Sequence, residues 1–391
     1  MKKPESTFRR HKATLAVAMG TIAASIVIAV GWKDSADPSS SEVAYSINYG
    51  AYEGYSFGDS DEVIDLGTQP LYAPTGLITE TMRRDLLLLR ELHSQGLEIR
   101  FHSFFKGADV NAYLGYSELE AGIGGDMPAI TAAATQEIVI PLMVQQGFTS
   151  IIAKHPLVIR ELAGKRIGCG FGSCSHFALL DALASVGFGE SDIRWVFMET
   201  NELPGAMLAG KIDAFSSWEP IPTLILANLP HASIVHQQLT TGYLYFSSEL
   251  LNRRPDAVYQ VSAAVLRAVN WLHEDFENLR MAAQWNLDAM EKLAGHSIGL
   301  SVDQVVDLAQ SDILGSTAPL AIPGEYLRDD GPLSREHEFL VRLGKIPESS
   351  SWDSTRGRFD LKIVHRLRIE SRGYQLWEYD YATEGIPDEC L

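Results

Sequence analysis

The sequence predicts an α/β fold with mixed sheets flanked by helices and a helical C-terminal part. Three observations predict it. Short runs of β-branched and aromatic residues alternate with helical patterns between residues 62 and 236, the pattern of strands joined by crossover helices. Glycine follows two of those helical patterns, at Gly187 and Gly210, as a helix stop. From Pro255 onward strand signals cease, and Val258, Val261, Val265, Val269 and Leu272 fall on one helical stripe.

The elements follow in order. A Tyr- and Gly-rich stretch, 44–61, has no clean period and reads as a loose lead-in. Strand 62–67 opens the folded body, and helix 77–95, strand 97–104 and a short helix at 110–114 follow. The turn Gly122–Pro128 leads into helix 129–135 and two apolar strands, 138–144 and 148–153, separated by Gln145, Gln146 and Gly147. Strand 166–168, helix 175–186, strand 193–198, helix 202–209, strand 212–216, helix 221–227 and strand 232–236 complete a series with mostly parallel strands. The charge runs Arg83-Arg84 and Asp329-Asp330 read as solvated faces.

With 391 residues, 46% of them hydrophobic, the chain has material for two cores of ordinary domain size. Net charge is −18, and residues 1–33 carry six Lys/Arg against one Glu, so the rest stands at 26 minus 49, or −23. Such a surface repels phosphate polymers, so nucleic acid is not an expected partner. Lys2, Lys3, Arg9, Arg10 and Lys12 precede an uncharged run of 20 residues, 13–32, closed by Lys33 and a Ser-rich linker. That run is long for a signal core and just long enough to span a bilayer, so residues 1–33 read as a signal peptide or as a membrane anchor, and 34–61 as a linker. Positive charge before the run places the body outside the cytoplasm.

The most informative stretch runs from Leu162 to His176, where glycines end a strand and open a helix at Gly172, Ser173, Ser175 and His176. Free backbone N–H groups and the positive helix end then face one point, which suits an anionic or polar small molecule. Thr75 and Gly76 begin one helix and Asp126 begins another, so three helix N-termini converge if the strands before them are neighbours. Trp218 and Glu219 end a further strand, and an aromatic plate beside a carboxylate suits an ammonium group. A zwitterion would satisfy both ends of such a pocket. Each residue also has a plainer reading. Thr75, Ser173 and Ser175 serve as helix caps, His176 as the partner of a neighbouring backbone group, and Asp126 as the lock of its own turn.

No nucleophile and base pair stands out, and no metal or cofactor is expected. Cys169 and Cys174 would bridge if their Cα atoms lay within about 7 Å, and otherwise are two small buried thiols; Cys390 would be the odd one. The glycines from 168 to 172 lie after a strand with Asp192 some twenty residues on, but the third glycine of a dinucleotide fingerprint falls at Ser173.

Six landmarks carry a family likeness: Gln69-Pro70 with Gly76-Leu77, Gly125-Asp-Met-Pro128, Leu162-Ala-Gly-Lys165, Gly172-Ser173 with His176, Gly210-Lys-Ile-Asp-Ala214 and Trp218-Glu-Pro220. Between residues 62 and 345 the chain resembles the substrate-binding proteins of ABC importers for nitrate, aliphatic sulfonates and taurine, which are periplasmic binding proteins of type II. The resemblance implies a two-lobed fold that captures a small solute by hinge closure and hands it to ABC permease subunits in the membrane. It implies lobe 1 from 62–148 and 241–347, lobe 2 from 149–240, and a C-terminal extension from 348–391 outside the match. Gln69 joins the site through it. Pyrimidine-precursor synthases of thiamine biosynthesis share this fold, but their cysteine-rich motif is absent here. The remaining alternatives are a membrane-tethered ligand-sensing module and a dinucleotide-dependent enzyme.

Overall fold

The computed structural model of the chain describes residues 52–58, 61–312 and 320–385. The candidate anchor at 13–32, most of the linker and Cys390 lie outside the described residues. Among the described residues, no helix is long and apolar enough to cross a membrane.

The strands are β1 (Val63–Thr68), β2 (Glu98–Ser103), β3 (Ala121–Gly125), β4 (Ile138–Ala153), β5 (Arg166–Cys169), β6 (Arg194–Phe197), β7 (Ala214–Trp218) and β8 (Ser233–Ser247). They form one eight-stranded sheet in the order β2-β1-β3-β8-β4-β7-β5-β6. β1 pairs in parallel with β2 and β3, and β5 with β6 and β7, whereas β8 and β4 run antiparallel to their neighbours. The sheet is therefore mixed, with two parallel halves joined through a long antiparallel pair.

That pair corrects two expectations. Residues 138–144 and 148–153 are one strand of 16 residues, and the strand expected at 232–236 continues to Ser247. The polar Gln145, Gln146 and Gly147 look like a turn in sequence, yet each pairs with β8, at Gly242, Thr241 and Thr240. Register shifts between Val139 and Leu142, Met143 and Gln145, and Ile151 and Ile152 accommodate the bend that carries both strands from one half of the sheet to the other.

The helices of the first part are α1 (Ala73–Met82), α2 (Leu86–Ser94), α3 (Gly107–Gly115), α4 (Asp126–Thr135), α5 (Cys174–Ser185), α6 (Leu203–Leu208) and α7 (Ile221–Asn228). The single helix expected at 77–95 is thus two helices. Asp85 breaks it by accepting the N–H groups of Leu87 and Leu88 at 3.0 Å each, as a cap does. Its second oxygen accepts from Nε of the buried Arg267 at 2.8 Å. Arg83 and Arg84 are not simply solvated: both pair with Glu80, and Arg84 lies over the Trp285 ring.

After α8 (Ser248–Arg253) come α9 (Pro255–Glu274), α10 (Phe276–Ala294), α11 (Val302–Asp312), α12 (Pro332–Arg342), α13 (Trp352–Arg356) and α14 (Leu361–Ile369). The apolar stripe of α9 faces the largest core together with β1, α1, α10 and Leu367 of α14. The chain beyond residue 348 belongs to this body. Ile140 N–H donates to Arg358 O, Arg267 Nη1 donates to Tyr374 O and Asn270 Nδ2 donates to Leu376 O. The described lead-in is docked as well, because Tyr52 is buried, donates to Asp109 at 2.7 Å and accepts from Phe105 N–H.

α12 packs against α4 and also reaches α5, where Phe339 lies 5.3 Å from His176 and 5.2 Å from Phe177. Lys106, just before α3, pairs with Glu199 beyond β6 at 3.2 Å. The two halves of the sheet therefore touch through side chains as well as through β4 and β8.

Candidate functional site

β4 organises the site. Gln145 sits where the strand leaves the first half of the sheet and is 2% exposed. Its partner is Gly242, which in turn pairs with Gly125 at the end of β3. A Cβ at Gly242 would come within 2.9 Å of Gln145 Cγ and 3.5 Å of Thr75 Oγ1. The glycine thus leaves room for the glutamine side chain to cross β8 and meet α1. There Thr75 Oγ1 donates to Gln145 Oε1 at 2.6 Å, and Gln145 Nε2 stays buried with no hydrogen-bond partner.

Thr75 is therefore no cap. α1 starts at Ala73 with Tyr72 before it and no side-chain cap bond. Gly76 is required by packing, because a Cβ there would lie 2.2 Å from Asn286 Nδ2 and 2.7 Å from Pro70 O. Gln69, 8% exposed, lies across Gly107 and Gly124, each of whose Cβ positions is 3.1 Å from Gln69 Oε1. That oxygen, too, is buried without a partner.

Asp126 opens α4 and fits its plainer reading. It accepts from Met127 N–H at 2.8 Å and from Thr241 N–H on β8 at 3.0 Å, locking its turn to the crossing strands. Burial pushes its carboxyl up to about 6 against those two bonds.

Four residues along β4 from Gln145, about 13 Å of strand, Thr149 pairs with Trp218 of β7 and with Gln238 of β8. Its hydroxyl reaches Cys174 Sγ at 3.7 Å, so the start of α5 stands over this point. Ser173 caps α5, accepting from His176 N–H at 3.3 Å while bonding Gly170 O and Ser175 Oγ. Gly172 needs its flexibility, with φ at +72° and Lys345 Cε only 2.8 Å from a Cβ placed there.

His176 also fits its plainer reading: Nδ1 accepts Gly172 N–H at 3.2 Å, inside a cage of Phe171, Trp195, Phe197 and Phe339. Burial, then Arg342 and Lys345, pull its ring down to about 4. Trp218 faces the other half of the sheet, edge-on to Tyr72 at 6.5 Å. Beside it, Glu219 accepts Thr223 N–H, in the first turn of α7, at 3.1 Å.

The structure thus gathers Gln69, Thr75, Gly76 and Asp126 at one end of the crossing strands, and Gly172, Ser173, Ser175, His176, Trp218 and Glu219 at the other. Gln145 and Gly242 link the first group to the strands, and no motif flagged them. The available signal was a Gln pair inside an otherwise apolar strand. Cys169 and Cys174 are free thiols, and burial raises both. Among the described residues, no group of three or more His, Cys, Asp or Glu is placed to hold a metal ion.

Residues 61–287 match the model of the NMT1-like family. The chain belongs to that family. This NMT1-like protein is similar to an Escherichia coli (strain K12) protein named for binding aliphatic sulfonates, at 24% identity over 41% of this chain and 50% of that one. It is also similar to the taurine-binding periplasmic protein of the same organism, at 26% identity over 32% of this chain and 40% of that one. The NMT1-like chain spans about half the length, or less, of these curated relatives. The structure of the alkanesulfonate-binding protein SsuA from Xanthomonas axonopodis pv. citri, bound to MOPS, shares the fold, with TM-score 0.58 and 18% identity over 78% of this chain and 99% of that one.

Proposed function

We propose that this chain is the extracytoplasmic solute-binding component of an ABC importer, taking a small sulfonate, or a related anionic or zwitterionic solute, between the two halves of its sheet. The halves act as lobes, 62–148 with 241–347 and 149–240, and hinge on β4 and β8. The observation that carries this reading is the buried N–H2 of Gln145, a donor with no acceptor beside the start of α1. A buried donor left unsatisfied costs about 1–3 kcal/mol, and a sulfonate oxygen relieves that cost. On the other half of the sheet, the capped start of α5 offers N–H groups and a positive helix end that closure would bring toward the bound anion. Trp218 supplies an apolar wall for the carbon chain, and Gln69 Oε1 an acceptor for an amino group.

Binding rather than catalysis fits the titratable groups. Burial holds the Cys174 thiol protonated and the His176 ring neutral, so neither is poised for attack or proton transfer. The relatives named for sulfonate and taurine binding support the solute class and imply permease subunits as partners. Native mass spectrometry of the protein purified without refolding tests the reading. A retained solute of sulfonate or aminosulfonate mass is expected, and a retained nucleotide or metal would overturn it.

A further inference from the structure

A cavity of about 170 Å³ lies among α4, α5, β8 and α12. Neither Thr75 nor Gln145 lines it. Phe177, Leu239 and Leu333 form an apolar wall, and Asp126, Glu336 and Gln238 a polar one. Two oxygens of the polar wall, Glu336 Oε2 and Gln238 Oε1, are buried with no hydrogen-bond partner, and Glu336 is only 4% exposed. Arg335 also borders the cavity, but it is 55% exposed and lies 3.9 Å from Asp181.

With Glu336 ionised, both orphaned oxygens are acceptors, and buried acceptors call for donors. A ligand that carries donors and positive charge, and no acceptor of its own, matches this wall. The cavity has room for roughly ten water-sized spheres, which is more than a bare ion fills. We propose that it binds a small alkylammonium ion, with the –NH3+ held by Glu336 Oε2, Gln238 Oε1 and Asp126 and the alkyl chain lying along Phe177, Leu239 and Leu333.

Electrostatics adds a signature. Burial raises both carboxyls, Asp126 to about 6 and Glu336 well above the usual carboxylate range, and the Asp126 charge adds to the rise at Glu336. An ammonium beside the two carboxyls favours their ionised forms, which burial disfavours. Ligand uptake releases a proton to the buffer. The cavity is bordered by Asp126 of one half of the sheet, Phe177 and Asp181 of the other, and α12, which touches both, so its occupancy is coupled to how the halves sit.

Calorimetric titration of the full chain at pH 7.5 with n-propylammonium chloride, in two buffers of different ionisation enthalpy, tests the proposal. KCl serves as the matched salt, and each titration is repeated with saturating ethanesulfonate. One saturable site is expected, with an apparent enthalpy that differs between the buffers, binding at least tenfold weaker in both Glu336→Gln and Gln238→Met, and no displacement by ethanesulfonate. Absence of saturable heat, equal heat from KCl, or unchanged affinity in the two variants would overturn it. Displacement by the sulfonate would also overturn it, because it moves the amine into the solute site. The amine arm reads out whether or not ethanesulfonate binds, so failure here is distinct from failure of the transport reading.

Discussion

Thr75 Oγ1 donates to Gln145 Oε1 at 2.6 Å, and this one bond fixes which face of the Gln145 amide is left for a solute. Thr75→Val keeps the shape and removes the donor, so the amide is free to turn its oxygen toward the anion. Solute affinity should fall about tenfold, the equivalent of ~1.4 kcal/mol, whereas Thr75→Ser should stay within about threefold of wild type. Calorimetric dissociation constants for the two variants check this pair.

Gly242 makes that bond reachable. Gly242→Ala would place a methyl 2.9 Å from Gln145 Cγ, and β8 cannot yield because it is paired on both sides, with Gly125 and Gln145. The side chain must leave, so affinity should drop tenfold or more while thermal unfolding shifts by only a few degrees, as read by circular dichroism and solute titration on the same preparation.

His176 gives the fold an acid sensitivity whose sign follows from its burial. Its ring titrates at about 4 when folded and at 6.5 when free, so between these pH values the unfolded chain binds the extra proton. Stability is full above about 6.5 and falls as pH drops toward about 4, by roughly 3 kcal/mol for this group. Asp126 contributes the opposite slope, since its raised carboxyl takes up a proton in the folded state below about 6. The difference between wild type and His176→Asn therefore isolates the histidine. The advantage of wild type over the variant in urea midpoint should be larger at pH 7 than at pH 4.5, whatever slope Asp126 adds to both proteins.

Arg267 and Asp85, each 1% exposed, form a buried ion pair that ties α9 to the cap of α2. Arg267 also holds the C-terminal segment through Tyr374 O. Arg267→Met leaves Asp85 buried without its cation, and a loss of about 3–5 kcal/mol in unfolding free energy is expected. A chain ended after Glu370 should lose stability as well, because Leu376 and Tyr381 leave the core and Trp271 is uncovered. Denaturant unfolding of both proteins is the check.

Much of this was legible from the sequence because it is local. Alternating strands and helices, the stops at Gly187 and Gly210, the helix start at Asp126 and the Ser173 cap each depend on a few neighbouring residues. The continuity of β4 was not legible, since the polar Gln145 and Gln146 and the flexible Gly147 interrupt an apolar run, and they are strand because Gly242, Thr241 and Thr240 lie opposite, nearly a hundred residues on. The same holds for Asp85, whose role as a break needs Arg267 to balance its charge. Gln145 was invisible for a related reason. Its meaning comes from what it lacks, an acceptor, and a missing partner shows only when every neighbour is in place.

Calorimetric titration of wild type and Gln145→Glu with taurine, ethanesulfonate and nitrate tests solute capture at β4 most directly. The account predicts one saturable site for a sulfonate in wild type and affinity at least a hundredfold weaker in Gln145→Glu, where a carboxylate replaces the donor and repels the anion. Tight nitrate binding without sulfonate binding would contradict it, and so would a sulfonate affinity that Gln145→Glu leaves unchanged.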